Sequence, residues 1–233
     1  MSQATRRRFI RHLQHTLGTN AFFVDLAAAA RQVTRRRGDD ALVEWRSAAA
    51  CARGRFRPDG YGCYRRGPWR FGFFLEYDRG TERSGHYAAK LATYYRYRDS
   101  GAYARDYQSF PTLLVVTTSA AAEARFAYQA YLAQEHHDAA PLTIFLTTTS
   151  HIAACPDDVL GRIWRSAAAP WADEPARVCW LPSLRRLGWT LAEPGLRVTD
   201  RRVARQSLET ERVFGQTAVV SQQQSRGRSL TPS

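Results

Sequence analysis

Lysine is all but missing from this chain: Lys90 stands alone among 34 basic side chains, so the positive charge is almost wholly arginine. Methionine occurs only at position 1. Cysteine is nearly as sparse. Cys51, Cys63, Cys155 and Cys179 form no CxxC pair and have no histidines at ligand spacing, so neither a zinc site nor a disulfide framework is indicated and buried thiols are expected. The adjacent His136 and His137 read as a solvated helix end, and the six histidines together show no metal spacing. Long apolar runs are absent too. AFFVDLAAAA is short and broken by Asp25, and the basic start MSQATRRRFIRHLQ has no apolar core after it, so no membrane span or secretion signal is expected and a cytoplasmic location follows by default.

What is present is a chain able to bury a core. Its 233 residues are 44% hydrophobic and 12% aromatic, which suits one domain of ordinary size with appendages. The net charge of +13 and a pI of about 10.2 favour a polyanionic partner, DNA or RNA, over an acidic membrane face.

Periodicity then orders the chain. Residues 1–17 form a basic, weakly apolar segment with the pattern of one helix. A second helix is expected from a cap at Thr19 and Asn20 to Arg37, with Phe22, Phe23, Leu26, Ala29, Ala30 and Val33 at helical spacing. ALVEWR (41–46) has the pattern of a strand, the segment to Arg57-Pro58-Asp59-Gly60 of a second, and Trp69 to Tyr77, after a Gly67-Pro68 turn, of a third. Ser84 to Asp99 predicts a helix. TLLVVT (112–117) and LTIFL (142–146) are continuous apolar runs, as in strands covered on both faces, with a helix capped by Ser119 between them. The resulting order is helix, three strands, helix, strand, helix, strand: an α/β fold with a mixed sheet flanked by helices. A helix from Pro156-Asp157-Asp158 through Ile163 and Trp164 and a last strand or covering loop at VCWLPSL (178–184) are weaker expectations. The domain is expected to span 18–190, and residues 191–233 form a polar tail whose last 20 or so residues are expected to be disordered.

The chemistry concentrates in FFLEYDRGTE (73–82). Strand alternation puts Phe74, Glu76 and Asp78 on one face and Phe73, Leu75 and Tyr77 on the other, with Asp59 expected across a hairpin-like connection. Carboxylates at adjacent strand ends are a usual way to hold a hard divalent cation, so Asp59, Glu76 and Asp78 are candidate ligands for Mg²⁺ (or Mn²⁺). In the helix that follows, Tyr87, Lys90, Leu91 and Tyr94 share one stripe, which aims the lone lysine toward the same place. Asp59, Glu76 and Lys90 are thus the candidate catalytic set. The structural alternatives are a loop cap or Arg79 pairing for Asp78, a turn at Asp59, a helix cap at Glu82 and a snorkelling rim position for Lys90.

Pro58-Asp59 followed by Glu76 in a strand meander resembles the PD-(D/E)XK nuclease superfamily, with Asp78 where the motif lysine belongs and Lys90 similar to a migrated substitute. At a closer level HTLGTNAFFVDLAAAAR, LVEWRS, RPDGYG, FFLEYDRGTE, the KLATYYRY beginning at Lys90, and FPTLLVVTTSAAAEARF resemble the replication-relaxation family of bacterial plasmid and mobile-element proteins, over roughly residues 15–165. This resemblance implies a DNA-acting protein of plasmid replication or DNA relaxation, partnered by DNA and plasmid replication proteins, with homodimer formation a further expectation. Members often carry a winged-helix segment ahead of this region, where this chain has about 15 residues. Related sequences often have an acidic residue after Ser47, where this chain has Ala48, with Glu44 or Asp25 as poor stand-ins. The implied activity is therefore either metal-dependent phosphodiester cleavage or, in an inactive nuclease-like fold, docking of DNA or a replication protein.

Overall fold

The computed structural model describes residues 2–37, 39–80, 84–137, 140–155, 159–168 and 176–182. The chain divides into two units, Met1–Pro182 and Ser183–Ser233, and all the described residues lie in the first. The tail expected at 191–233 lies outside them.

A single helix, α1 (Gln3–Arg37), opens the chain. The break expected near Thr19 does not occur: Thr19 is buried within the helix and the buried stripe runs on through it. Gly18 does not end the helix either. Its missing side chain admits the Tyr77 ring, since a Cβ there would sit 2.2 Å from Tyr77 Cζ.

Three antiparallel strands follow, β1 (Asp40–Ser47), β2 (Gly60–Arg66) and β3 (Trp69–Asp78), with the one-turn helix α2 (Ala48–Cys51) between β1 and β2. The Arg57–Gly60 segment expected within the second strand mostly precedes it; only Gly60 belongs to β2. Helix α3 (Ser84–Asp99), a short 3₁₀ turn (Ala102–Arg105), β4 (Thr112–Thr117), α4 (Ala120–Glu135), β5 (Ile144–Thr148) and α5 (Thr149–Ala154) come next, and β3, β4 and β5 run parallel. Ser119 caps α4 by accepting from Ala122 N, as its position predicts. The fifth strand starts two residues later than its apolar run. The start of the helix expected from Pro156-Asp157-Asp158 lies outside the described residues, and among those described 159–163 are not helical: Trp164 opens the short strand β6 (Trp164–Ser166), which pairs with β7 (Arg177–Val178). Burial of Trp164 against α1 overrides the weak helical pattern there.

The seven strands form one mixed sheet in sequence order, β1 to β7. Helices cover both faces. Phe22, Phe23 and Leu26 of α1 pack with Phe73, Leu75, Leu114, Val116 and Trp164 on one side. Tyr87, Leu91 and Tyr94 of α3 and Phe126 of α4 pack with Phe74, Leu113 and Val115 on the other. The alternation read from FFLEYD is therefore the alternation between two cores. No helix among the described residues is long and apolar enough to cross a membrane.

Candidate functional site

Three elements meet at the C-terminal end of β3. The strand delivers Glu76 and Asp78 toward α3 and Tyr77 toward α1. The loop before β2 delivers Asp59, whose amide donates to Leu75 O at 3.0 Å, so the aspartate is pinned beside β3 before β2 begins. Helix α3 delivers Lys90 from the stripe whose other members, Tyr87, Leu91 and Tyr94, are buried. The structure thus brings Asp59, Glu76, Asp78 and Lys90 to one cleft of about 330 Å³, lined also by His12, His15, Tyr77, Arg79, Tyr87 and Phe126.

Each carboxylate oxygen has a protein donor. Lys90 Nζ donates to Glu76 Oε2 and forms an ion pair with it, and Tyr94 Oη donates to Glu76 Oε1 at 2.5 Å. His15 Nε2 lies 3.0 Å from Asp59 Oδ1, while the Tyr77 amide donates to Asp59 Oδ2 at 2.8 Å. Tyr87 Oη and the Gly80 amide donate to the two oxygens of Asp78 at 2.5 and 2.9 Å. Gly80 adopts a left-handed φ of 70°, which the tight loop return to Asp78 requires. Asp78 therefore caps its own loop, the structural role weighed for it from sequence.

The electrostatics follow from burial. Glu76, 1% exposed, is pushed up to about 8 by loss of solvent; Lys90 opposes the shift and the nearby Asp59 adds to it. Asp59 moves the other way. Burial raises it, but the His15 hydrogen bond, the Lys90 charge and the Tyr77 amide together hold it below the ordinary carboxylate range. The Asp59 hydrogen bond correspondingly raises His15, against the opposing effect of burial. Burial thus opposes ionisation of Glu76 while Lys90 and Tyr94 support it, and Asp59 is held charged.

The carboxylates that a divalent cation would need are engaged by internal donors. Mg²⁺ needs free, charged oxygens at roughly 2.0–2.1 Å, whereas the ammonium of Lys90 already occupies the approach to Glu76 and Asp78 is spent on Tyr87 and Gly80. Among the described residues no group of three His, Cys, Asp or Glu side chains is arranged to hold a metal ion. Glu44 pairs with Arg46 at 2.5 Å, and neither it nor Asp25 lines the cleft. Ala48 is exposed on α2. Glu82 lies outside the described residues.

Sequence reasoning missed His15, Tyr94 and Tyr87 as members of the cluster. The signal for His15 was present: His15, Phe22, Leu26 and Ala29 stand at spacings of seven, four and three, so the histidine extends the buried stripe of α1.

Residues 1–113 match the replication-relaxation family model. The matched region ends in β4, so it holds α1, the β1–β3 meander and α3, and with them Asp59, Glu76, Asp78 and Lys90. The replication-relaxation match begins earlier and ends earlier than the span of 15–165 over which the motifs resemble that family. No curated protein matches this chain, and no solved structure does.

Proposed function

We propose that this protein is a DNA-binding component of plasmid or mobile-element replication, and that the Asp59, Glu76 and Lys90 cluster joins its nuclease-like α/β framework instead of cutting phosphodiesters. The observation that carries this reading is the saturation of the cleft: all six oxygens of its three carboxylates accept from internal donors. The replication-relaxation likeness of residues 1–113 supports the cellular process, and the net charge of +13 supports a polyanionic partner. The DNA contact surface is the mouth of the cleft, where Arg79 reaches Gln14 of α1 at 2.7 Å and the exposed Arg125 of α4 reaches Gly80 O at 3.3 Å. Arg79 follows β3 and Arg125 lies on α4, and cations presented from separate elements suit a backbone-tracking interaction more than base readout.

Supercoiled plasmid tests it directly. Wild type and the Asp59→Ala, Glu76→Ala double variant are incubated with Mg²⁺ or Mn²⁺ and followed for nicking, and DNA binding is measured across a salt series. The expected result is no nicking, with affinity that falls steeply with salt and a slope reduced by about 1 when Arg125 is replaced by Ala. Metal-dependent nicking that vanishes in the double variant would replace this reading with that of a nuclease of the PD-(D/E)XK kind.

A further inference from the structure

Helix α1 has two apolar faces, and the fold uses one. Phe22, Phe23, Leu26, Ala29 and Ala30 lie on the sheet and are at most 2% exposed. On the opposite side Phe9, Ile10, Leu13, Leu17 and Val24 are 61%, 41%, 44%, 58% and 56% exposed. They account for most of the large exposed hydrophobic side chains among the described residues. Their spacing is not scattered. Ile10, Leu13, Leu17 and Val24 follow steps of three, four and seven, the seam of a helix that packs against another helix.

The seam is also symmetric about Leu17. Seven residues before it is Ile10 and seven after it is Val24; four before it is Leu13 and four after it is the exposed Ala21. An antiparallel pair of such helices, crossing at Leu17, sets Ile10 against Val24, large Leu13 against small Ala21, and Leu17 against its own copy. Charge selects the same direction. The exposed Arg6, Arg7, Arg31 and Arg35 lie on α1, whose only acidic residue is Asp25, so parallel pairing would stack each arginine on itself. Antiparallel pairing sets Arg6 opposite Ala28 and Arg7 opposite Ala27, and opposes the helix dipoles. Full burial of the four seam side chains, with Phe9 at their edge, would remove at most about 1,000 Å² from two copies, near the lower limit of a specific interface and the size of a weak, reversible one.

We infer that the exposed face of α1 is the interface of an antiparallel homodimer centred on Leu17. His15 points to the sheet side of the helix, so the two clefts of the dimer face outward, away from the seam.

Sedimentation velocity of the full chain over a concentration series, with Leu17→Glu alongside, tests the interface. Wild type is expected to dimerise reversibly with a Kd of about 1–100 μM, and Leu17→Glu to remain monomeric with the melting temperature that wild type shows well below that Kd. Direction is read by oxidising single-cysteine substitutions and mapping the bridges by mass spectrometry. Ile10→Cys mixed with Val24→Cys should give a 10–24 bridge, whereas either alone should give none at that position. A monomer up to about 100 μM, a dimer that survives Leu17→Glu, or 10–10 and 24–24 bridges would overturn the proposal.

Discussion

The protein buries two glutamates beside a cation and treats them differently. Glu123, on α4, is 2% exposed and meets Arg177 through two parallel hydrogen bonds of 2.7 and 2.9 Å. Glu76, on β3, is 1% exposed and divides its oxygens between the flexible ammonium of Lys90 and the hydroxyl of Tyr94. A planar guanidinium fork fixes both oxygens of a carboxylate at once; an ammonium is a point charge on a four-carbon stem and leaves the second oxygen to another donor. The first pair joins α4 to the sheet edge at β7. The second lines a cleft, and there the chain uses its only lysine. The contrast teaches where protonation can change: burial pushes Glu76 up to about 8, above the range in which most carboxylates titrate.

The largest expected effect breaks the guanidinium pair. Arg177→Ala takes the fork from buried Glu123 and leaves it only the charge of nearby Arg165, and loss of one partner of a buried pair costs about 3–5 kcal/mol. The lower end applies, because the Arg177 side chain is 22% exposed and already screened. Chemical denaturation at pH 7 measures it, and a loss below about 1 kcal/mol would place this pair with ordinary surface bridges.

Removing the other cation should cost less, and differently with pH. In Lys90→Met, buried Glu76 can take up a proton and keep its Tyr94 contact, so the loss near pH 6 is about 1–2 kcal/mol. The sign for wild type follows from linkage. Glu76 goes from an ordinary 4.5 to about 8 on folding, so between those values the folded state binds the extra proton and stability falls as pH rises. Lys90→Met extends that decline above pH 8, because nothing then compensates the ionised form. Glu76→Gln removes its contribution altogether. Melting temperature against pH for the three proteins decides the matter: equal pH dependence in wild type and Glu76→Gln would mean that Glu76 is charged at neutral pH.

The two regions were also unequally legible in the sequence. Period-two alternation in FFLEYD placed Glu76 and Asp78 on one face, and the period of Tyr87, Lys90, Leu91 and Tyr94 turned the lysine inward, because both patterns are imposed by burial on regular elements. Asp59 was placed near them by the meander, although it precedes β2. The partners of these residues were not legible in the same way. Which hydroxyl reaches which carboxylate depends on the distance between α3 and the sheet, set by Phe74, Tyr94 and Phe56 packing edge to face. The Glu123 pair was invisible for a stronger reason: its residues lie 54 positions apart, and β7 is two residues long with no periodicity of its own. The helix expected at Ile163 and Trp164 failed in that same stretch, where burial of one indole outweighs local pattern.

The smallest expected effect concerns the tie between α1 and the cleft, the contact that makes a long helix part of the site. His15 is raised by Asp59, and Asp59 is lowered by His15, so the two titrations bound the pH window of the pair. A histidine raised on folding stabilises fully below its ordinary 6.5 and loses that contribution as pH rises through its folded value. An aspartate lowered on folding stabilises above its ordinary 3.8 and loses that contribution as pH falls through its folded value. The pair is therefore strongest between roughly pH 4 and 6.5. His15→Ala should cost about 0.5–1 kcal/mol there and less once pH has risen past the folded value of His15, where the neutral imidazole of wild type keeps only a hydrogen bond. His15→Gln, which can still donate to Asp59, should recover part of the loss without its pH dependence. Denaturation of the three proteins at pH 5.5 and 8.5 separates charge from contact, since a purely steric role for His15 would give the same loss at both.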